Sequence, residues 1–238
     1  MLRVELEPAF VLHHRPFRDT SALLEVFSEV HGRVGLVARG ARGPRSRLRP
    51  LLQPFRPLLL SWQLRGELGT LTAAEARGAG LSVPAGGEAL LALYYVNELV
   101  LRLTARLDPH RELYPAYAAT VAALCEGALL APALRRFEKR MLDVLGYGPD
   151  LHRDAAGQPL EADASYRYDP AHGLTPCDED GRGALSGASL LALAEDRLEG
   201  PRALADARQL LRAALDVHLD GRPLKTRELL ARLRGGHC

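Results

Sequence analysis

The first eighty residues are predicted to form short strands, along which apolar and polar positions alternate or apolar residues occupy both faces. In the segment 33–39, Val34, Leu36 and Ala38 make one apolar face. Five segments have this strand-like character: 9–12, 21–27, 33–39, 58–64 and 67–71. Glycine-bearing turns and a long connection between the third and fourth segments are typical of a small closed barrel of the OB type.

From about residue 82 onward the apolar residues recur every three or four positions, which predicts packed helices. Pro132 suits the first turn of one such helix and Gly146 its end. The predicted helices cover six segments: 88–107, 111–126, 132–145, 190–198, 201–219 and 224–233. Residues 146–188 are rich in Gly and Pro and are predicted to form an irregular insert.

These patterns predict an α+β protein that is first all-β and then all-α. We expect a five-stranded OB-fold barrel that binds nucleic acid in residues 1–80. An α-helical domain that includes the irregular insert is expected in residues 81–238. The length of the chain accommodates one large domain or two ordinary ones.

Charge is segregated along the chain. Between Val30 and Gly66 there is no Asp or Glu. The same window contains eight arginines: Arg33, Arg39, Arg42, Arg45, Arg47, Arg49, Arg56 and Arg65. Removing the +8 of this window from the formal net charge of +2 leaves −6 for the rest of the chain. Clustered guanidinium groups favour phosphate as their partner.

The alternative interpretation of this window is a solvated basic surface without a partner. The chain uses lysine only at Lys139 and Lys225, so its richness in arginine by itself reflects overall composition. The absence of acidic residues is more informative, because protein surfaces usually mix charges of both signs. We therefore interpret the window as part of a polyanion-binding region.

Residues 39–50 alternate arginine with small residues. A segment of this composition is expected to stay exposed, which leaves its charges available to neutralise phosphates. The arginines predicted to contact the phosphate backbone of a nucleic acid are Arg15, Arg18, Arg33, Arg39, Arg42, Arg45, Arg47 and Arg49.

Four of the five phenylalanines and the single tryptophan lie in this first region. Phe10, Phe27 and Trp62 fall within predicted strands and are expected in the core. Phe17 and Phe55 lie on connecting segments next to arginines, where we expect them to stack on bases. Aromatic rings beside guanidinium groups favour unpaired strands as the ligand.

Motifs of catalytic and cofactor sites are missing from the sequence. Neither lysine follows a Gly-rich phosphate loop, and there is no dinucleotide fingerprint, no G-x-S-x-G and no H-E-x-x-H. The acidic run at 178–180 is interpreted as a solvated turn rather than a cation site. We therefore expect no enzymatic activity, no bound metal and no cofactor.

The cysteine pattern and the hydropathy indicate a cellular location. Cys125, Cys177 and Cys238 are an odd number at wide spacing, which argues against a disulfide framework. No apolar run is long enough to span a membrane, and the first residues lack the features of a signal peptide. The expectation is a cytoplasmic protein that makes no contact with a membrane.

Longer motifs run through nearly the whole chain. Those of the first part are VLHHRPFRDTSALL at 11–24, ARGAR at 38–42, LQPF at 52–55 and GELGTL at 66–71. Those of the second part are RFE at 136–138, LGY at 145–147 and HLDGRPLKT at 218–226. In content and order these motifs resemble the RecO family of bacterial DNA repair proteins.

The resemblance implies an OB-fold domain followed by an α-helical domain, in a DNA-binding recombination mediator of the RecF pathway. It implies binding to single- and double-stranded DNA and annealing of complementary strands. It also implies that the protein, with RecR, helps RecA onto single-stranded DNA coated by SSB, and that it is associated with the nucleoid. Two alternatives stay open from the residues alone: an RNA-binding OB-fold protein of the translation machinery and a protein-interaction scaffold.

The resemblance further implies docking of the SSB tail, which is acidic with an apolar end. Such a tail needs an apolar pocket rimmed by cations, and the helical domain is the expected location. Arg135, Arg136 and Arg140 lie on the helix opened by Pro132, with a spacing that places them over one broad face. We interpret them as the rim of the tail site, and the alternative is a solvated side of the helix.

The insert departs from the family pattern. Many members have a four-cysteine zinc site after the LGY motif, whereas Cys177 is the only cysteine between residues 146 and 188 here. A structural zinc ion needs four donors, which one thiolate does not supply. His152, Asp154 and His172 with Cys177 would form a mixed site, but we predict a degenerate, zinc-free insert that is held by packing.

The purified protein is therefore expected to contain no stoichiometric zinc. Binding of a structural metal supplies folding free energy, so a chelator would lower the midpoint of thermal unfolding if such an ion were present. We expect elemental analysis to find no zinc and the thermal midpoint to be the same with and without chelator. A midpoint that falls with chelator would contradict the zinc-free interpretation.

Overall fold

The structure is a computed structural model that describes residues 2–78, 80–84, 86–178, 183–219 and 221–235. The chain divides into two compact units, Met1–Ala128 with Leu224–Cys238, and Leu129–Pro223. The predicted boundary between residues 80 and 81 does not coincide with this division and stays a prediction. Among the described helices, none combines the length and the apolar character needed to cross a bilayer.

The first unit begins with a closed five-stranded barrel in the order β1-β2-β3-β5-β4. Its strands are β1 (Leu2–Phe17), β2 (Ser21–Ser28), β3 (Gly32–Ala38), β4 (Leu58–Arg65) and β5 (Leu68–Ala76). The barrel closes because β1 pairs with both β2 and β4, and only β3 and β5 pair in parallel. The predicted OB-fold barrel is thereby confirmed.

Strand β1 is much longer than the predicted segment 9–12. Its pairing register shifts between Val4 and Glu7 and again between Val11 and His13. Such bulges bend a strand and interrupt the two-residue period. The pattern of apolar residues therefore identified only the middle of β1, at residues 9–12.

The barrel interior is filled by alternate residues of all five strands, and the side chain of Trp62 is completely buried there. Phe10 and Phe27 are also buried, as predicted, but on the outer side of the barrel. Their ring centroids lie 5.1 and 5.5 Å from that of Tyr117. These contacts attach the helix that carries Tyr117 to the outer surface of β1 and β2.

Three helices complete the first unit: α1 (Gly87–Leu103), α2 (Leu113–Cys125) and, from the end of the chain, α6 (Lys225–Gly235). A buried hydrogen-bond chain joins α2 and α1 to the barrel. The Tyr117 hydroxyl donates to Asn97 Oδ1 at 2.6 Å, and Asn97 Nδ2 donates to the carbonyl oxygen of Leu12 at 2.8 Å. Burial raises the pKa of Tyr117 well above its ordinary value, so the hydroxyl remains a donor.

The second unit contains α3 (Leu130–Leu145), α4 (Gly187–Ala194) and α5 (Gly200–Val217). Gly146 ends α3 in the left-handed conformation, as its position in the sequence indicated. The insert at 146–188 is more regular than predicted, because it contains an antiparallel sheet in the order β7-β6-β8. Its strands are β6 (Ser165–Asp169), β7 (Gly173–Cys177) and β8 (Leu185–Ser186).

Aspartate side chains organise the turns of the insert. Asp150 Oδ1 accepts hydrogen bonds from the backbone amides of His152 and Arg153, and Asp154 Oδ1 accepts from Ala156 and Gln158. Within the described residues, no group of three or more potential metal ligands converges. The mixed donor set of His152, Asp154, His172 and Cys177 is therefore not assembled. Glu179, Asp180 and Cys238 lie outside the described residues.

Candidate nucleic-acid interface

One end of the barrel gathers the predicted phosphate-binding arginines. The strand register sets Pro16 opposite Ala22, and Ala22 opposite Ala38. The β1–β2 turn and the beginning of the β3–β4 connection (residues 39–57) therefore lie at the same end. We call this surface the basic end, and its arginines are Arg15, Arg18, Arg39, Arg42, Arg45, Arg47 and Arg49.

Arg42 joins the two segments of the basic end. Its backbone amide donates to the carbonyl oxygen of Thr20 at 2.8 Å. Its guanidinium Nη1 donates to the carbonyl oxygens of Arg18 at 3.3 Å and Asp19 at 3.4 Å. The β1–β2 turn and the β3–β4 connection are thus held together by the backbone and the side chain of one residue.

The β3–β4 connection is anchored in the barrel, although residues 39–50 were expected to stay exposed. Ala41 and Leu52 belong to the buried interior cluster, and Leu48 packs against it. The amide of Leu52 donates to the Leu48 carbonyl oxygen at 2.9 Å, and Gln53 Nε2 donates to the Arg49 carbonyl oxygen at 2.7 Å. The apolar residues point inward and position the intervening arginines. The expected exposure therefore holds for the arginines of residues 39–50 but not for Ala41 and Leu48.

All seven arginines of the basic end are exposed. Within the part of the chain that the structure describes, none of them pairs with a carboxylate. Partial desolvation lowers the pKa of the nearby His14 imidazole, and His13 acts in the same direction. The positive charge of this end at neutral pH is therefore carried by guanidinium groups, which bind phosphate oxygens through two parallel N–H donors.

Phe17 and Arg18 form a pair at the tip of the β1–β2 turn. Phe17 is partly exposed, and Arg18 Cζ lies 5.2 Å from the centroid of its ring. Arg18 has a φ of +53°, in the left-handed region that non-glycine residues seldom occupy. The turn thus places an aromatic ring and a cation side by side, and the role of Phe17 in stacking stays a prediction.

The prediction that Phe55 stacks on a base is wrong. Its side chain is 2% exposed, and its φ of +67° lies in the left-handed region. The ring packs against Tyr94 of α1 with the centroids 5.0 Å apart and the planes at 76°. Phe55 lies on a connecting segment, but the backbone conformation there directs its ring toward the interior.

Arg33 is also separate from the basic end, which corrects its predicted role. It lies near the start of β3, roughly 20 Å from Arg39 along the strand. Its guanidinium Nη1 donates to the carbonyl oxygen of Leu101 in the last turn of α1 at 2.7 Å. Burial lowers the pKa of Arg33, with Glu25 opposing and Arg106 adding to the shift. Arg33 is a partly buried strand residue that caps a helix.

Of the three arginines predicted to form the rim of the tail site in the second unit, one is not available at the surface. Arg135 is 9% exposed and forms an ion pair with the buried Glu138, so it is not part of an open rim. Arg136 is exposed and donates to the carbonyl oxygen of Asp196 at 3.3 Å, just beyond the end of α4. Arg140 is exposed as well. The one-residue step from Arg135 to Arg136 turns the side chain by about 100° around the helix.

The fold and this site define a class of protein: an OB-fold barrel with a basic end that continues into a helical region. The chain belongs to the RecO family, as its motifs indicated. The family model described as "Recombination protein O N terminal" matches residues 1–79, and that described as "Recombination protein O C terminal" matches residues 85–228.

Curated proteins named DNA repair protein RecO are similar over nearly the whole chain. The protein from Alkalilimnicola ehrlichii is 48% identical over 97% of this chain and 92% of its own length. The protein from Ralstonia nicotianae is 43% identical over 98% of this chain and 86% of its own length. That from Xanthomonas campestris pv. campestris is 45% identical over 97% of both chains.

Replacing Arg33, which is partly buried, and Arg47, which is exposed, should affect the stability of the protein differently. Replacing the guanidinium of Arg33 in Arg33→Met leaves the Leu101 carbonyl without its donor, which should reduce the free energy of unfolding by about 1–2 kcal/mol. The same change at the exposed Arg47 should leave stability nearly unchanged. Denaturant unfolding of both variants measures this difference. Equal destabilisation, or none in Arg33→Met, would contradict the role assigned to Arg33.

Proposed function

We propose that this protein is a DNA-binding recombination mediator of RecF-pathway repair and that DNA lies on the basic end. The observation that carries the proposal is the set of seven exposed arginines on two segments that Arg42 joins. Binding of such a surface to a nucleic acid releases condensed counterions, which supplies affinity without sequence preference. The names of the curated relatives support the assignment to DNA repair.

Strand annealing follows from the same charge. Two complementary strands repel each other through their phosphates, and a basic surface that holds both backbones lowers this repulsion. The base edges remain free to pair, because the arginines engage phosphate oxygens rather than bases. The proposed activity makes and breaks no covalent bond, so it is not enzymatic and needs no cofactor.

The proposal includes the partners that the family resemblance implied. The protein would act with RecR to load RecA onto SSB-coated DNA, in the nucleoid of the bacterial cytoplasm. The acidic tail of SSB would bind the second unit, where Arg136 and Arg140 are exposed on α3. Cations at that position would pair with the carboxylates of the tail.

Salt dependence tests whether the basic end contacts the phosphates. The logarithm of the affinity for a single-stranded oligonucleotide should fall linearly with the logarithm of salt concentration. Changing Arg45, Arg47 and Arg49 to Glu should lower the magnitude of this slope by about 2, at about 0.7 per lost phosphate contact. Arg42 is left unchanged because it also holds the two segments together.

A control variant with three Arg→Glu changes elsewhere distinguishes the effect of charge at the basic end from the effect of total charge. Arg111, Arg167 and Arg208 are exposed and lie outside the basic end. Changing these three to Glu alters the net charge by the same amount and should leave the slope nearly as it is in the unmodified protein. Equal slopes for both triple variants would contradict the proposed surface. A parallel competition with RNA of the same length would show which nucleic acid is preferred.

A further inference from the structure

Tyr94 is an exposed aromatic residue on α1. It is 42% exposed on α1, whereas its neighbours Leu93, Tyr95 and Val96 are buried. Within the described residues its hydroxyl makes no hydrogen bond. A large aromatic side chain in this setting is neither part of the core nor held by a polar partner.

The position of Tyr94 links it to the β3–β4 connection. Its ring meets that of Phe55 edge to face at a centroid distance of 5.0 Å. Phe55 lies near the end of the connection, and the next residue is the exposed Arg56. The left-handed backbone conformation of Phe55 costs free energy, and the burial of its ring offsets that cost. Tyr94 is thus attached to the segment that carries Arg39 to Arg49.

The charge of the α1 segment around Tyr94 is compatible with a phosphate backbone nearby. Glu98 is the only acidic residue within four positions of Tyr94 on α1. Its carboxylate faces the N-terminus of α6, where it accepts hydrogen bonds from the amides of Lys225 at 2.8 Å and Thr226 at 3.0 Å. This arrangement satisfies the carboxylate within the fold, since an anion is stabilised at a helix N-terminus.

We propose that Tyr94 stacks on an unpaired base of a strand whose backbone follows the β3–β4 connection. This inference rests on the proposed function and deepens it, because it assigns the recognition of unpaired bases to one residue outside the barrel. Stacking tolerates any base, since every base has a π face, and it is impossible for a base that is paired within a duplex. The strand path would then extend from the basic end to the first helix.

The test compares Tyr94→Phe with Tyr94→Leu in the full chain. Phenylalanine keeps the ring, while leucine keeps apolar contact with Phe55 but has no π face. The probes are a thymidine oligonucleotide and a duplex of equal phosphate number, at several salt concentrations. Tyr147→Leu is the control, since Tyr147 is 46% exposed in the second unit. A thermal midpoint for each variant verifies that it is folded.

We expect Tyr94→Leu to weaken binding of the single strand about tenfold while duplex binding and the salt slope stay the same. Tyr94→Phe and Tyr147→Leu should bind like the unmodified protein. Unchanged single-strand binding in Tyr94→Leu, or equal losses for strand and duplex, would overturn the inference. If the unmodified protein shows no salt-dependent binding to either probe, the proposed function fails instead, so the two failures are distinguishable.

Discussion

The anchoring of the β3–β4 connection on the barrel determines where the positive charge of this protein lies. Ala41 and Leu52 are buried with the barrel interior and Leu48 packs against them, while Arg42 bonds to the backbone of the β1–β2 turn. These apolar residues are interspersed with the arginines of the connection. Because the apolar side chains are buried, the arginine side chains are held at the surface. Without this packing the guanidinium groups would belong to a flexible segment, and ordering them on a ligand would cost conformational entropy.

The barrel strands and the helices could be located from the sequence because their apolar residues recur with the spacing of a strand or of a helix. The function of individual residues could not be predicted, because it depends on contacts distant in the sequence. Phe55 is directed inward by a positive φ and by Tyr94, and Arg33 bonds to a carbonyl oxygen 68 residues later. The sequence distance between Arg33 and the other predicted arginines was the available signal, since Arg39 to Arg49 follow β3 whereas Arg33 stands at its beginning.

The insert shows how short polar side chains can organise a segment that is rich in Gly and Pro. Asp150 and Asp154 each accept two backbone hydrogen bonds, and the turns that they form precede a small antiparallel sheet. Gly and Pro residues hid this sheet from prediction, since its strands are short and bury few side chains. Short polar side chains are suited to this role because they satisfy backbone donors close in sequence.

Hydrogen–deuterium exchange of the full chain, with and without a saturating thymidine oligonucleotide, tests the central claim most directly. If the two joined segments form the DNA-contacting surface, the oligonucleotide will slow exchange at amides of residues 18–21 and 39–53 together. Exchange at the β2–β3 turn, residues 29–32, will be unchanged, since that turn lies at the other end of β3. Slowed exchange that leaves residues 39–53 unaffected, or that is confined to Leu129–Pro223, would contradict the account.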